Sequence, residues 1–93
     1  MKYTWDENKN ERNFRKHGVW FEEACTVFSD KNALEIYDDQ NSSVTEQRYI
    51  VLGLSSSPRL LIVVYCERDL DQIRLISARK ATKKESKDYE KRI

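Results

Sequence analysis

An α+β fold is what this sequence predicts, and three observations predict it. Leu60 to Tyr65 is an unbroken apolar run in which Leu60, Ile62 and Val64 alternate with Leu61, Val63 and Tyr65. It therefore reads as a strand that is apolar on both faces and lies inside a sheet. Phe21, Ala24, Cys25 and Phe28 recur at i, i+3, i+4 and i+7, the spacing of a helix face that packs on a core. Thr82-Lys83-Lys84-Glu85 is a T-x-x-E capping box, in which the threonine and glutamate satisfy each other's backbone N–H groups and start a last helix. The expected arrangement is an N-terminal strand and two helices packed on an antiparallel sheet, with a C-terminal helix.

Each element has its own signal. Lys2 to Trp5, aromatic and β-branched, is a short strand. Asp6 is a good N-cap, Glu7 places an acid in the first turn, and Gly18 is a C-cap, so a helix runs to about His17. On it Lys9, Arg12 and Lys16 share one stripe, and Asn10, Asn13, Phe14 and His17 share the next. A docking face with so little apolar surface must bond to neighbouring backbone or line a polar cleft. Val19 to Asp30 is the core helix, Ala33 to Tyr37 a strand and Asp38 to Thr45 a polar loop. Glu46 to Leu54 is again a strand, and Ser55 to Pro58 turn the chain into the central hairpin. The hairpin's second strand, Gln72 to Ala78, delivers Arg79 and Lys80 at its end. In the last helix only Tyr89 and Ile93 are apolar, so it is expected to pack weakly and to leave surface for a partner.

The totals narrow the function. With 93 residues the chain is read as one domain, residues 1–93. Its longest apolar run is far below the roughly 18 residues of a membrane span and nothing resembles a signal peptide, so a cytoplasmic protein without membrane contact is expected. Cys25 and Cys66 have no metal spacing and sit among apolar residues, as reduced core thiols do. The net charge is +1, yet residues 71–93 hold eight Lys or Arg against four acids, while residues 20–47 hold seven acids and one lysine. A basic end of this kind is a plausible footprint for a polyanion, or simply a solvated surface.

Several chemistries are excluded. Two glycines, Gly18 and Gly53, cannot build a Gly-rich phosphate loop, and one histidine with two scattered cysteines makes no usual zinc site. The acids lie mainly on helix faces and in a loop, unlike the clustered carboxylates of two-metal nucleases. No cofactor and no metal is therefore expected. What remains is a set of cations with a few acid/base groups: Lys16, His17, Glu46, Arg48, Arg68, Arg74, Arg79 and Lys80. That set suits cleavage of RNA, whose 2′-hydroxyl is an attacking group already in place. The protein then positions the phosphate, neutralises its developing charge and moves protons. Arginine fits the charge role because its planar fork grips phosphate at two points. Histidine fits proton transfer; the alternative for His17 is a histidine satisfied beside the helix cap.

These residues also resemble a known family. Trp5-Asp6, Lys9, Asn13, Lys16-His17-Gly18-Val19, Phe21-Glu22-Glu23-Ala24, Val27-Phe28, Glu46 with Arg48, Val63-Val64-Tyr65, Arg68, Arg74 and Ile76-Ser77-Ala78-Arg79 form an ordered series similar to the BrnT toxins of bacterial toxin–antitoxin pairs. The resemblance runs from Trp5 to Tyr89. It implies a RelE-like fold, ribonuclease activity that slows translation, and neutralisation by a BrnA-like antitoxin in an assembly of two toxins and two antitoxins. It also implies contact with operator DNA only through the antitoxin. Carried over by position, Arg79, His17, Glu46 and Lys16 are the catalytic candidates, and Arg48, Arg68, Arg74 and Lys80 the RNA-binding ones. Many members have a histidine in the loop before the Glu-x-Arg pair, where this chain has Asn41.

Two function classes stand: a metal-independent endoribonuclease, and a non-catalytic module that binds RNA or the antitoxin and acts in operon autoregulation. Growth arrest on expression without a partner separates them. A DNA-binding regulator ranks third, because no helix–turn–helix pattern is visible.

Overall fold

Asp6 and Gly18 bracket the first helix as their chemistry requires. In the computed structural model, which describes residues 1–69 and 71–92, strand β1 (Lys2–Thr4) leads to helix α1 (Glu7–His17). The Asp6 carboxylate accepts from the N–H groups of Asn8 and Lys9, and Gly18, at φ 71°, donates its own N–H to the Phe14 carbonyl. That left-handed conformation costs glycine nothing and would strain any residue with a Cβ.

The next element differs from the single helix expected over Val19 to Asp30. Helix α2 (Phe21–Ala24) tightens after one turn into a 3₁₀ segment (Cys25–Ser29). Three residues per turn align Phe21, Ala24 and Val27, all fully buried, whereas Cys25 and Phe28 are half-buried. Gly53 explains how the segment comes so close to the sheet. A Cβ at Gly53 would lie 3.0 Å from the Val27 Cβ and 3.3 Å from its carbonyl oxygen.

Strands β2 (Leu34–Tyr37), β3 (Arg48–Leu54), β4 (Leu60–Arg68) and β5 (Gln72–Lys80) follow, then helix α3 (Lys83–Glu90). The sheet order is β1-β5-β4-β3-β2, which puts the two-sided apolar strand β4 at the centre. The N-terminal strand, expected to pack on an antiparallel sheet, instead joins the sheet at one edge. β2 to β5 pair antiparallel, but β1 runs parallel to β5, with Tyr3 beside Ile73. First and last strands share no tight turn, so no hairpin dictates their relative direction.

β1 covers only Gln72 to Arg74 of β5. Beyond it α1 closes the edge with a side chain. Asn13 donates from Nδ2 to the Ala78 carbonyl and accepts the Ala78 N–H on Oδ1, at 2.9 and 3.1 Å, and also donates to the Val19 carbonyl at 2.9 Å. Asn10 accepts the Phe21 N–H at 2.8 Å and donates to Glu22 at 2.8 Å. The polar stripe of α1 therefore does bond to backbone, and the two asparagines are buried at little cost.

The two faces of the sheet differ. Val19, Phe21, Ala24 and Val27 cover one, packing on Val51, Leu61, Val63, Tyr65, Ile73, Leu75 and Ala78. The other is covered, among the described residues, only at one end, where buried Tyr89 of α3 sits on Leu52 and Ile62 and donates its hydroxyl to Asp30 at 2.7 Å. α3 is thus held by buried Tyr89 and by Glu85, whose carboxylate accepts from Arg79 of β5, although its apolar face is thin; Ile93 lies outside the described residues. Val64 is half-buried on the open face, in contrast to fully buried Val63. Cys25 and Cys66 are free thiols.

Candidate active site

The open sheet face is built from three lateral rows of side chains. Leu34, Leu52, Ile62 and Arg79 form one; Ile36, Ile50, Val64 and Ser77 the next; Arg48, Cys66 and Arg74 the third. A β-bulge decides this pattern. Val64 pairs with Ser77 but Tyr65 pairs with Leu75, so Ile76 is the extra residue. Ile73 and Leu75 face the covered core, and strict alternation from them would send Ser77 and Arg79 there too. The bulge turns both onto the open face, as bulges beside functional sites do.

His17, at the end of α1, joins Ser77 and Arg79 around a cleft of about 550 Å³ floored by the aliphatic rows and bounded by Asp38, Asn41, Glu85 and Asp88. A shallower groove of about 220 Å³ between Ile76 and the α1 side chains Lys9, Arg12 and Lys16 shares His17 and Ser77 with the cleft as lining residues. The remaining expected residues lie elsewhere. Glu46, Arg48 and Arg68 form a cluster, with Arg48 Nε 2.9 Å and Arg68 Nη2 3.7 Å from the Glu46 carboxylate. The Arg48 hydrogen bond, and then the charges of Arg48, Arg68 and Lys9, hold Glu46 below the usual carboxylate range. Arg74 shares the Arg48 row, four residues of β4 from the Arg79 row, or about 13 Å. Lys80 pairs with core residue Leu61, so its side chain leaves from the opposite face to Arg79.

Arg79 is already engaged. Its Nη1 and Nη2 donate to Glu85 Oε1 and Oε2 at 2.8 and 2.9 Å, a two-point fork. The ion-pair partner of Arg79 thus lies on α3, while on α2 it is Arg59 that binds Glu23, at 2.6 Å. Glu85 also accepts the Thr82 N–H at 2.8 Å, completing the capping box. The Arg79 hydrogen bond is the main reason that Glu85 is depressed from 4.5 to about 2, and the same contact raises Arg79.

A pH prediction follows from Glu85. A carboxyl with a lowered folded pKa contributes stability fully above its unfolded value, and the contribution is lost as pH falls toward the folded value. The advantage in melting temperature of wild type over Glu85→Gln should therefore shrink between about pH 4.5 and 2. An advantage unchanged at pH 2 would show that the fork does not couple to folding.

Sequence reasoning missed Ser77 and the role of Asp38, which accepts from Asn41 Nδ2 at 3.0 Å. Ser77 became visible only with the bulge. Lys9 and Arg12 align in a stripe in the sequence, and the fold sets that stripe along a groove with His17 and Ser77. Among the described residues no group of three or more His, Cys, Asp and Glu side chains gathers as metal ligands would.

A small mixed α+β protein with one open sheet face, whose cleft brings together a histidine, a serine and an arginine, is the class this fold and site define. The chain belongs to the BrnT family: the family model described as the ribonuclease toxin BrnT of type II toxin–antitoxin systems matches residues 5–85. Among solved structures, the 1.1 Å crystal structure of the Brucella abortus ribonuclease toxin BrnT aligns with a TM-score of 0.70 at 22% identity, over 89% of this chain and 99% of that one. At that identity the likeness establishes a shared fold. No curated protein compared with the chain matches it.

Proposed function

We propose that this chain acts as a single cytoplasmic domain, a RelE-like endoribonuclease toxin that cleaves RNA without a metal ion and slows translation. A BrnA-like antitoxin holds it inactive, two copies with two, and supplies the contact with operator DNA. The observation that carries the reading is the meeting of His17, Ser77 and Arg79 on one cleft, in a chain whose family is a ribonuclease family.

In this reading the 2′-hydroxyl attacks the neighbouring phosphorus, the bond to the 5′-oxygen breaks, and a 2′,3′-cyclic phosphate and a free 5′-hydroxyl result. Arg79 moves its fork from Glu85 to the phosphate, whose growing negative charge it balances. His17 takes the 2′ proton and Lys16, one residue away on α1, gives a proton to the departing oxygen. Glu46 is a weaker base candidate: it is tied to Arg48, held well ionised, and lies near the far row. Arg48, Arg68 and Arg74 hold the strand further along, and Lys80 contributes through the general field alone.

The test is a defined RNA incubated with purified protein in EDTA, with and without ribosomes. Cleavage leaving a 2′,3′-cyclic end is expected, and a 2′-deoxy substitution at the cut linkage should abolish it. Cleavage that stops in EDTA would overturn metal independence. A second reading, a module that binds RNA or antitoxin but cuts nothing, is favoured by the Arg79–Glu85 fork, which occupies the main phosphate ligand. It predicts no growth arrest when the chain is expressed alone.

A further inference from the structure

The arginines of this protein are mostly spoken for. Arg15, Arg48, Arg59, Arg68 and Arg79 each have a carboxylate oxygen 2.6 to 3.8 Å away. Lys9, Arg12 and Lys16 are exposed and, among the described residues, have no such partner. They stand at i, i+3 and i+7 on α1, about 4.5 and 6 Å apart along its axis. The N-cap Asp6 lies in the field of Lys9 and Arg12, and Glu46 in that of Lys9, yet neither is within ion-pair reach. The outward side of the same helix is different, since there Glu11 and Arg15 alternate in sign and face each other at 3.8 Å.

A solvated helix face gains nothing from three like charges in a row, which repel at this spacing. Their position gives them a use. With Asn13 and Ile76 they line the groove that shares His17 and Ser77 with the cleft. That position follows from Asn13, which ties α1 along the edge of β5 and so sets the stripe beside the bulge.

We infer that Lys9 and Arg12 bind the phosphates of an RNA strand outside the cleaved linkage, so that α1 guides the strand past Lys16 and His17 into the cleft. The inference rests on the ribonuclease reading and adds a subsite to it. Single-stranded RNA suits the track, because a groove of cations follows a flexible backbone without reading its sequence. The ammonium of Lys9 offers a point charge and the guanidinium of Arg12 a fork. Substrates that reach beyond the cut dinucleotide are then bound more tightly and cleaved more efficiently.

The experiment has two arms, each comparing wild type with the double variant Lys9→Gln/Arg12→Gln, whose folding is checked by thermal melting. The first measures binding of an all-2′-deoxy single strand, which cannot be cut, as a function of salt. Each lost phosphate contact lowers the slope of log K against log salt by about 0.7, so the double variant should lose about 1.4. The second compares kcat/KM on a dinucleotide and on a longer strand of the same RNA. The double variant should lose about tenfold more on the longer strand than on the dinucleotide. An unchanged salt slope overturns the track, and so does an equal loss on both substrates. If wild-type protein cuts neither substrate, the ribonuclease reading falls, and the salt slope still decides whether Lys9 and Arg12 hold phosphates.

Discussion

Arg79→Ala is expected to lower RNA cleavage by about 10²-fold or more, close to 3 kcal/mol of transition-state stabilisation. Three observations motivate it: the residue is fixed by a paired strand, faces the cleft, and presents both terminal nitrogens as a fork. Arg79→Lys should restore only part of the rate, since one ammonium cannot copy a two-point contact. The fork to Glu85 adds a complication, because Arg79→Ala also frees one partner of the α3 cap. A stability cost of about 1 kcal/mol is expected from that alone. Glu85→Gln separates the effects, as it breaks the ion pair and leaves the guanidinium in place. Cleavage should survive in Glu85→Gln and fail in Arg79→Ala. Equal loss in both variants, matched by equal loss of melting temperature, would make Arg79 a structural residue and nothing more.

Asn13→Ala should destabilise the fold by about 3 to 4 kcal/mol in a urea titration. One side chain serves three backbone groups, the Val19 carbonyl and both the carbonyl and N–H of Ala78. All three contacts are buried, so their loss leaves polar groups without water. Asn13→Asp should cost at least as much, because a buried carboxylate still accepts the Ala78 N–H but turns an acceptor oxygen toward both carbonyls. Since α1 is held to β5 through this residue, cleavage should fall as His17 and Lys16 shift. Faster exchange of the Ala78 amide in Asn13→Ala than in wild type, beyond the change in global stability, checks the assignment. A cost below about 1 kcal/mol would mean that apolar packing alone holds the helix.

Much of this protein was determined by sequence alone, and local chemistry is the reason. Asp6, Gly18 and the Thr82–Glu85 pair set helix ends through bonds made within a few residues, and each appears in the structure as its residues dictate. The two-sided apolar strand required a central place, because both of its faces must be covered or lined. The ordered motif series was enough to point to the family that the match over residues 5–85 establishes. The polar stripe of α1 announced that it needed partners, although not which ones.

Tertiary structure decided the rest. The parallel pairing of β1 with β5 joins the two ends of the chain, and no local signal encodes it. The close approach of the 3₁₀ segment to the sheet depends on Gly53, far along the chain, where a side chain would crowd Val27. Glu85 and Arg79 carried separate signals, a cap and a strand end, and only the packing of α3 over the sheet made them one pair. Most consequential is the bulge at Ile76. Alternation in a strand has a period of two, so one extra residue exchanges the faces of everything after it. That single offset puts Ser77 and Arg79 beside His17 and sends Lys80 to the other side, an outcome set by the pairing of β5 with β4 and not by the order of residues in β5 itself.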